Sequence, residues 1–126
     1  MTQYTENLAK YIANVQYNDI PAEVIDRAKK LTMHCVGATM AALPSTCVRS
    51  AVSTAKDTFG ETADLMATAW GEQGKLPMNG AIFINSTGAD TLDWEDCSWT
   101  GHPTAGFIPV SFSLSEAMKK SGKDYL

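Results

Sequence analysis

The sequence has no apolar run approaching the ~20 residues that span a bilayer, and its opening Met1-Thr2-Gln3-Tyr4 lacks the basic and apolar stretches of a secretory leader. The expectation is a cytoplasmic chain with no membrane partner. Basic residues are few and scattered. Ten Lys and Arg stand against 14 Asp and Glu, for a net charge of −4. The clustered basic face that follows a phosphate backbone is missing, so nucleic acid is not an expected partner either. The three cysteines, Cys35, Cys47 and Cys97, form no C-x-x-C pair, which excludes a paired disulfide framework and the usual zinc clip and points to reduced thiols. No internal repeat or low-complexity tract is present.

What remains is a 126-residue chain, 44% hydrophobic, of a size that suits one domain or a piece of one. Leu8, Tyr11, Ile12 and Val15 recur at helical spacing, which predicts a first helix over residues 5–15 with Thr5 as its cap. A turn through Asn18, Asp19 and Ile20 leads to Pro21, suited to a first helical position. A long central helix should then run to Leu43-Pro44, with Val24, Ala28, Leu31, Thr32, Cys35, Val36 and Met40 on one face. Ser45 or Thr46 can cap a third helix bearing Val48, Val52, Ala55 and Phe59, stopped by Gly60.

Residues 63–70 read as a short extended piece closed by Gly71. The stretch Gly71-Glu72-Gln73-Gly74-Lys75 reads as a turn, because the phosphate-loop pattern is incomplete. Pro77 should open a fourth helix with Ala81, Ile82, Asn85, Ala89 and Leu92 on one face, and its Gly80 and Gly88 suit close helix packing. Residues 93–103 have no period and form a loop. From Thr104 a fifth helix bears Ile108, Val110, Leu114, Ala117 and Met118. Lys119 and Lys120 fall in its last turn and Gly122 ends it, after which residues 123–126 open another element. The fold class is all-α, about five helices with one long acidic loop.

That loop holds the chemistry. Asp90, Asp93, Glu95 and Asp96 lie in a stretch without Lys or Arg, and the remaining ten acids balance the ten bases, so the whole net charge resides there. Clustered carboxylates can drive one pKa upward, and His102 is a natural acid/base partner. A solvated loop anchored by Trp94 and Trp99 is the plainer reading of the same residues. Three carboxylates and a histidine are also hard-cation donors, but their spacing does not fit an EF-hand, and neither a metal nor a cofactor is expected. Cys97 near His102 lacks an oxyanion-hole signature. His34 reads as a packed or half-exposed helix residue.

The residues Leu92-Asp93-Trp94-Glu95-Asp96-Cys97, Gly101-His102-Pro103-Thr104-Ala105 and Ile108-Pro109 together resemble the L-D-[FY]-D-D-T…H-P-[SG]-A…[IV]-P pattern of the MmgE/PrpD family. That family includes 2-methylcitrate dehydratases, cis-aconitate decarboxylases and iminodisuccinate epimerases. The helix pair around Leu8 to Ile12 and Tyr17 to Lys29, Ala69-Trp70-Gly71 and the run from Ala81 to Asp93 are similar to its N-terminal region. The resemblance implies catalytic roles for His102 and Asp93 and places Asp96, Cys97 and Thr104 against substrate. Cys97 stands where threonine is usual, Glu95 where the second aspartate is, and Asp90 where histidine is common.

The resemblance further implies a lyase acting on a di- or tricarboxylate by proton abstraction and elimination. An epimerase of a dicarboxylic amino acid, or a helical interaction module without catalysis, are its alternatives. A polycarboxylate needs cations to compensate it, and the acidic segment offers at most His102. The chain is therefore expected to be an N-terminal fragment or split subunit, inactive alone. Its expected partner is the remaining C-terminal portion or a second subunit, in a homo- or hetero-oligomer.

Overall fold

The computed structural model describes residues 3–99 and 101–126; Met1, Thr2 and Thr100 lie outside the described residues. It is mainly α-helical. The elements run α1 (Gln3–Asn14), a 3-10 turn (Tyr17–Asp19), α2 (Ala22–Ala42), α3 (Thr46–Phe59), β1 (Met66–Thr68), β2 (Lys75–Pro77), α4 (Met78–Asp90), α5 (Pro103–Ala117) and α6 (Gly122–Tyr125). No single described helix is long and apolar enough to cross a membrane.

Helix α4 is the centre, packed against α2, α3 and α5. Its buried face is Gly80, Ala81, Ile84, Asn85, Gly88 and Ala89. This corrects the expected face in two respects: Leu92 lies beyond the end of α4 and is only partly buried, and Ile84 is buried completely and Ile82 only partly, because the small residues turn the helix so that two glycines meet its neighbours. A Cβ on Gly88 would lie 2.5 Å from Thr39 Cγ2, so α2 and α4 approach as closely as glycine allows. On Gly80 a Cβ would meet Phe59 at an ordinary 3.5 Å, so that glycine is not required by packing.

The core is built of small side chains. Ala55, Ala67, Ala69, Leu76, Ala81 and Ile84 form one cluster, and Cys35, Ala89 and Ala105 another, joined by Ile108. Its polar bolt is Asn85, fully buried. The Asn85 Oδ1 accepts from the Trp70 N–H at 2.8 Å and its Nδ2 donates to the Thr68 carbonyl at 3.0 Å. One side chain thereby satisfies two backbone groups, one at the end of β1 and one just beyond it, that the two-stranded ladder does not pair.

Several local expectations shift. Thr5 lies inside α1 rather than capping it, and Pro21 is the N-cap of α2, one residue before the helix. On α2 the buried residues are Cys35, Ala38, Thr39 and Ala42, while Val24 and Met40 are exposed. The apolar period was legible, but α4 crosses only the second half of α2 and selects the small residues there. Ser45 caps α3 by accepting from the Val48 N–H, and Gly60 closes it with φ 73°.

The extended piece around Met66 finds a partner that the sequence reading did not supply. Strands β1 and β2 pair antiparallel, with Ala67 opposite Leu76, across a turn in which Gly71 and Gly74 take positive φ. Pro77 ends β2 and caps α4. Helix α5 ends at Ala117 rather than near Gly122. Lys119 takes φ 54°, its N–H bonds to the Glu116 carbonyl, and the Lys120 N–H bonds to Ser115, a Schellman closure without glycine. Gly122 instead starts the short α6, capped by Ser121. Tyr125 of α6 packs edge-on against Phe112, which packs likewise on Trp70.

Candidate active site

The acidic loop begins where α4 stops. Thr91 caps the helix, and Asp93 turns the chain with φ 55°, a left-handed conformation that aspartate tolerates better than most residues. Trp99 takes φ 61° in the tight turn closed by the Ser98–Gly101 bridge. Two non-glycine residues in that region within one loop mark a segment held in shape by its neighbours.

Three anchors hold it. His34 on α2 donates its Nε2 proton to the Trp94 carbonyl at 2.9 Å, so this exposed histidine fixes the loop rather than simply riding on its helix. Asp96 accepts from the Thr104 N–H at 3.2 Å and from the Thr104 hydroxyl. Because His102, the N-cap of α5, offers no side-chain bond of its own, Asp96 supplies the missing cap and sets a negative charge at the helix N-terminus. Cys35, fully buried, donates its S–H to the Thr104 carbonyl at 3.4 Å. Burial first, then the Glu95 and Asp96 carboxylates, push its thiol up to about 11.

These anchors place two carboxylates around His102. Glu95 Oε1 lies 3.0 Å from Nδ1, with the Glu95 side chain completely buried. Asp93 Oδ1 lies 3.6 Å from Nε2, with its side chain 84% exposed. The Glu95 contact has hydrogen-bond length but lacks linear alignment, and among the described residues neither Glu95 oxygen nor His102 Nδ1 has another partner. Sequence reasoning named Asp93 as the partner of His102 and did not single out Glu95. Its only signal was a burial that the run of acids conceals.

His102 also borders an open groove of about 490 Å³ between α3, α4 and α5, with Cys47, Phe83, Ser86, Thr87, Asp90, Thr91, Ala105 and Gly106. No lysine or arginine lines it. Two of its hydroxyls are committed: Thr87 donates to the Phe83 carbonyl and Thr91 to that of Thr87, which leaves them only acceptors. Cys97 is exposed, its thiol directed at the Trp99 carbonyl at 3.7 Å. Asp93 and His102 thus come together, Asp96 and Thr104 bond to one another beneath the loop, and Cys97 stands apart at the surface. Among the described residues, Asp90, Glu95 and His102 bring donor atoms within 4.8 Å of each other, a set of hard oxygen and imidazole donors that could hold a divalent cation.

The profile of the MmgE/PrpD N-terminal domain matches residues 6–126. The chain belongs to the MmgE/PrpD family. Human cis-aconitate decarboxylase is 26% identical to this MmgE/PrpD chain over 122 residues, covering 94% of the chain and 24% of the human protein. The chain thus spans about a quarter of the length of that curated relative. No solved structure matches it significantly.

Proposed function

We propose that this chain contributes the acid/base part of a lyase site acting on a di- or tricarboxylate, in the manner that the name of the cis-aconitate decarboxylase relative suggests. The observation that supports this most is His102 at the edge of the groove, bracketed by Asp93 and the buried Glu95. His102 Nδ1 is sealed from solvent, so proton exchange with substrate falls to the other edge of the ring, where Nε2 and Asp93 meet. In a dehydration, Nε2 takes the proton from the carbon beside a carboxylate, the electron pair left there forms the double bond as the β C–O bond breaks, and the protonated ring returns the proton to the leaving oxygen so that water departs. In a decarboxylation, the carbon that loses carbon dioxide retains the electron pair and must receive a proton, which the same nitrogen can deliver. Asp93 steadies the ring while it holds two protons.

The remaining roles follow from position. Cys97 is exposed outside the groove and would meet substrate only where the partner completes the site, whereas Asp96 and Thr104 shape the site through the cap they form on α5. A polycarboxylate in a groove without lysine or arginine lacks its counter-charge. We therefore place that clamp on other polypeptide: the C-terminal portion typical of the family, or a second subunit of a homo- or hetero-oligomer.

The helical surfaces fit such a partner. No residue of α1 is buried, which leaves Tyr4, Leu8, Tyr11 and Ile12 exposed, and α5 exposes Phe107, Val110, Leu114 and Met118. Apolar faces of this kind mark interfaces. The same faces support a second reading, an interaction module without catalysis, and an epimerase of a dicarboxylic amino acid would use the same His102.

Assays of cis-aconitate and 2-methylcitrate turnover separate these readings. The chain alone should be inactive, and turnover should appear when a family C-terminal portion is supplied. In that assembly His102→Ala should lower kcat by roughly 10²–10⁴-fold without loss of binding. Turnover by the chain alone at ordinary rates, on the order of 1–10³ s⁻¹, overturns the incomplete site. Full activity of His102→Ala overturns the catalytic role.

A further inference from the structure

Glu95 is the most completely buried acid in the chain, with a side chain 0% exposed, and among the described residues the group at hydrogen-bond length from its carboxylate is the imidazole of His102. A carboxylate removed from water without partners is costly, so a group that can donate to it is strongly favoured. His102 Nδ1 is the nitrogen nearest to it, at 3.0 Å, and a small rotation of the ring or carboxylate would align the two. The opposite edge of the ring faces a competitor. Asp93 lies 3.6 Å from Nε2, but its side chain is 84% exposed and water screens its pull. Two carboxylates therefore compete for one ring proton, and the buried, nearer one wins. The other polar groups near the ring do not alter the outcome: Asp90 is exposed and Cys47 lies across the groove.

We propose that Glu95 is a positioning residue that holds neutral His102 in the Nδ1–H tautomer, leaving the lone pair on Nε2. Which nitrogen of a histidine is bare is set by the bond that the other nitrogen makes. A base needs its lone pair on the accessible edge, and the sealed Nδ1 could never serve. The burial that makes Glu95 costly also makes it selective, because the tautomer with a bare Nδ1 would set a lone pair against an unpaired carboxylate. The loop anchors act on this contact as well, since His34 and Asp96 fix the residues on either side of Glu95. The catalytic consequence rests on the proposed role of His102 as acid/base group; the tautomer itself does not.

Long-range ¹H–¹⁵N correlation spectra of the 126-residue chain test this, recorded with chelator at a pH of about 8.5, where an ordinary histidine is neutral. The chain has two histidines, so His34 is the internal control. Nδ1 of His102 should give the signal of a protonated nitrogen. A bare Nδ1 overturns the proposal, and this wild-type spectrum decides it even if no variant folds. In Glu95→Gln the buried charge is gone, a weaker neutral acceptor stands in its place, and the exposed Asp93 and Asp90 are the carboxylates that remain near the ring. The tautomer ratio should then move toward Nε2–H by roughly tenfold, the worth of one charge-assisted hydrogen bond. An unchanged ratio in a folded Glu95→Gln chain removes Glu95 from the role. Failure of the lyase reading shows instead as unaltered turnover in His102→Ala, with the tautomer as expected.

Discussion

The two ends of helix α4 are built on opposite terms. Along its body the buried polar side chains are answered: Asn85 closes two backbone bonds, Thr39 of the facing α2 donates to the Cys35 carbonyl at 2.9 Å, and Gly88 brings α2 to the limit of approach. Beyond Thr91 the accounting changes. Glu95 is buried with one imprecise partner, two residues adopt left-handed backbone, and His102 faces an open groove. Satisfied burial gives stability, while unsatisfied burial gives a group whose protonation matters to its neighbour. A rigid helix body is what allows the loop to hold such an arrangement.

The comparison breaks first at Asn85. Asn85→Ala orphans the Trp70 N–H and the Thr68 carbonyl together, and should lower unfolding free energy by about 2–4 kcal/mol in urea titration. A loss below about 1 kcal/mol would mean that water replaces the side chain and that the helix body is less tightly closed than it looks.

Cys35 probes the joint between the two regions, since both the core and the loop carboxylates act on it. Its thiol is raised from 9.0 to about 11 in the folded chain, so the fold favours the protonated form. The stability is fully present below pH 9 and is lost as pH rises through about 11. The loss amounts to roughly 2–3 kcal/mol once both states are ionised. Cys35→Ala should flatten this alkaline limb in thermal melts recorded across that window. Tyr125, raised first by burial and also by the charge of Cys35, keeps the burial part in both proteins and loses the Cys35 part in the variant.

Glu116 sharpens the contrast from the other side, as an acid whose partners are complete. It accepts from the Thr68 N–H and hydroxyl, both at 2.7 Å, and from Lys75 at 3.0 Å, tying α5 to the hairpin. Burial works to raise its carboxyl, but the Thr68 bonds and Lys75 outweigh it and hold it below the usual glutamate value. Its contribution is therefore present above the ordinary glutamate range and lost as pH falls through the depressed folded value. Glu116→Gln should cost about 1–2 kcal/mol at neutral pH, and the difference from the parent should vanish in acid.

The smallest effect belongs to the surface of the loop. Cys97→Thr, restoring the residue usual in the family, should change stability by less than about 0.5 kcal/mol, because the thiol is exposed. A larger shift in the melt would show that the Cys97 contact with Trp99 helps hold the loop.

How far the site was legible depended on residue type and distance. Asp93 and His102 stood out because a motif names them. Glu95 did not, since a run of acids looks alike until one of them is buried. His34 was equally opaque: its partner is the Trp94 carbonyl, 60 residues away, and a backbone acceptor leaves no mark in a sequence. The stop of α5 at Lys119 was missed because glycine is the usual residue there, and a nearby Gly122 drew the boundary too late.

By itself the sequence determined the main helices, a cap of α3 at Ser45 or Thr46, its stop at Gly60, the turn at Gly71 and the loop that concentrates the charge. These rest on periodicity and backbone sterics that act within a few residues. Tertiary structure alone decided which face of α2 and α4 is buried, that β1 has a partner, and that Glu95 is the acid buried against His102. Those outcomes depend on what lies across the gap from each side chain, and only the packed chain supplies a partner at 3 Å and the exclusion of water that gives it weight.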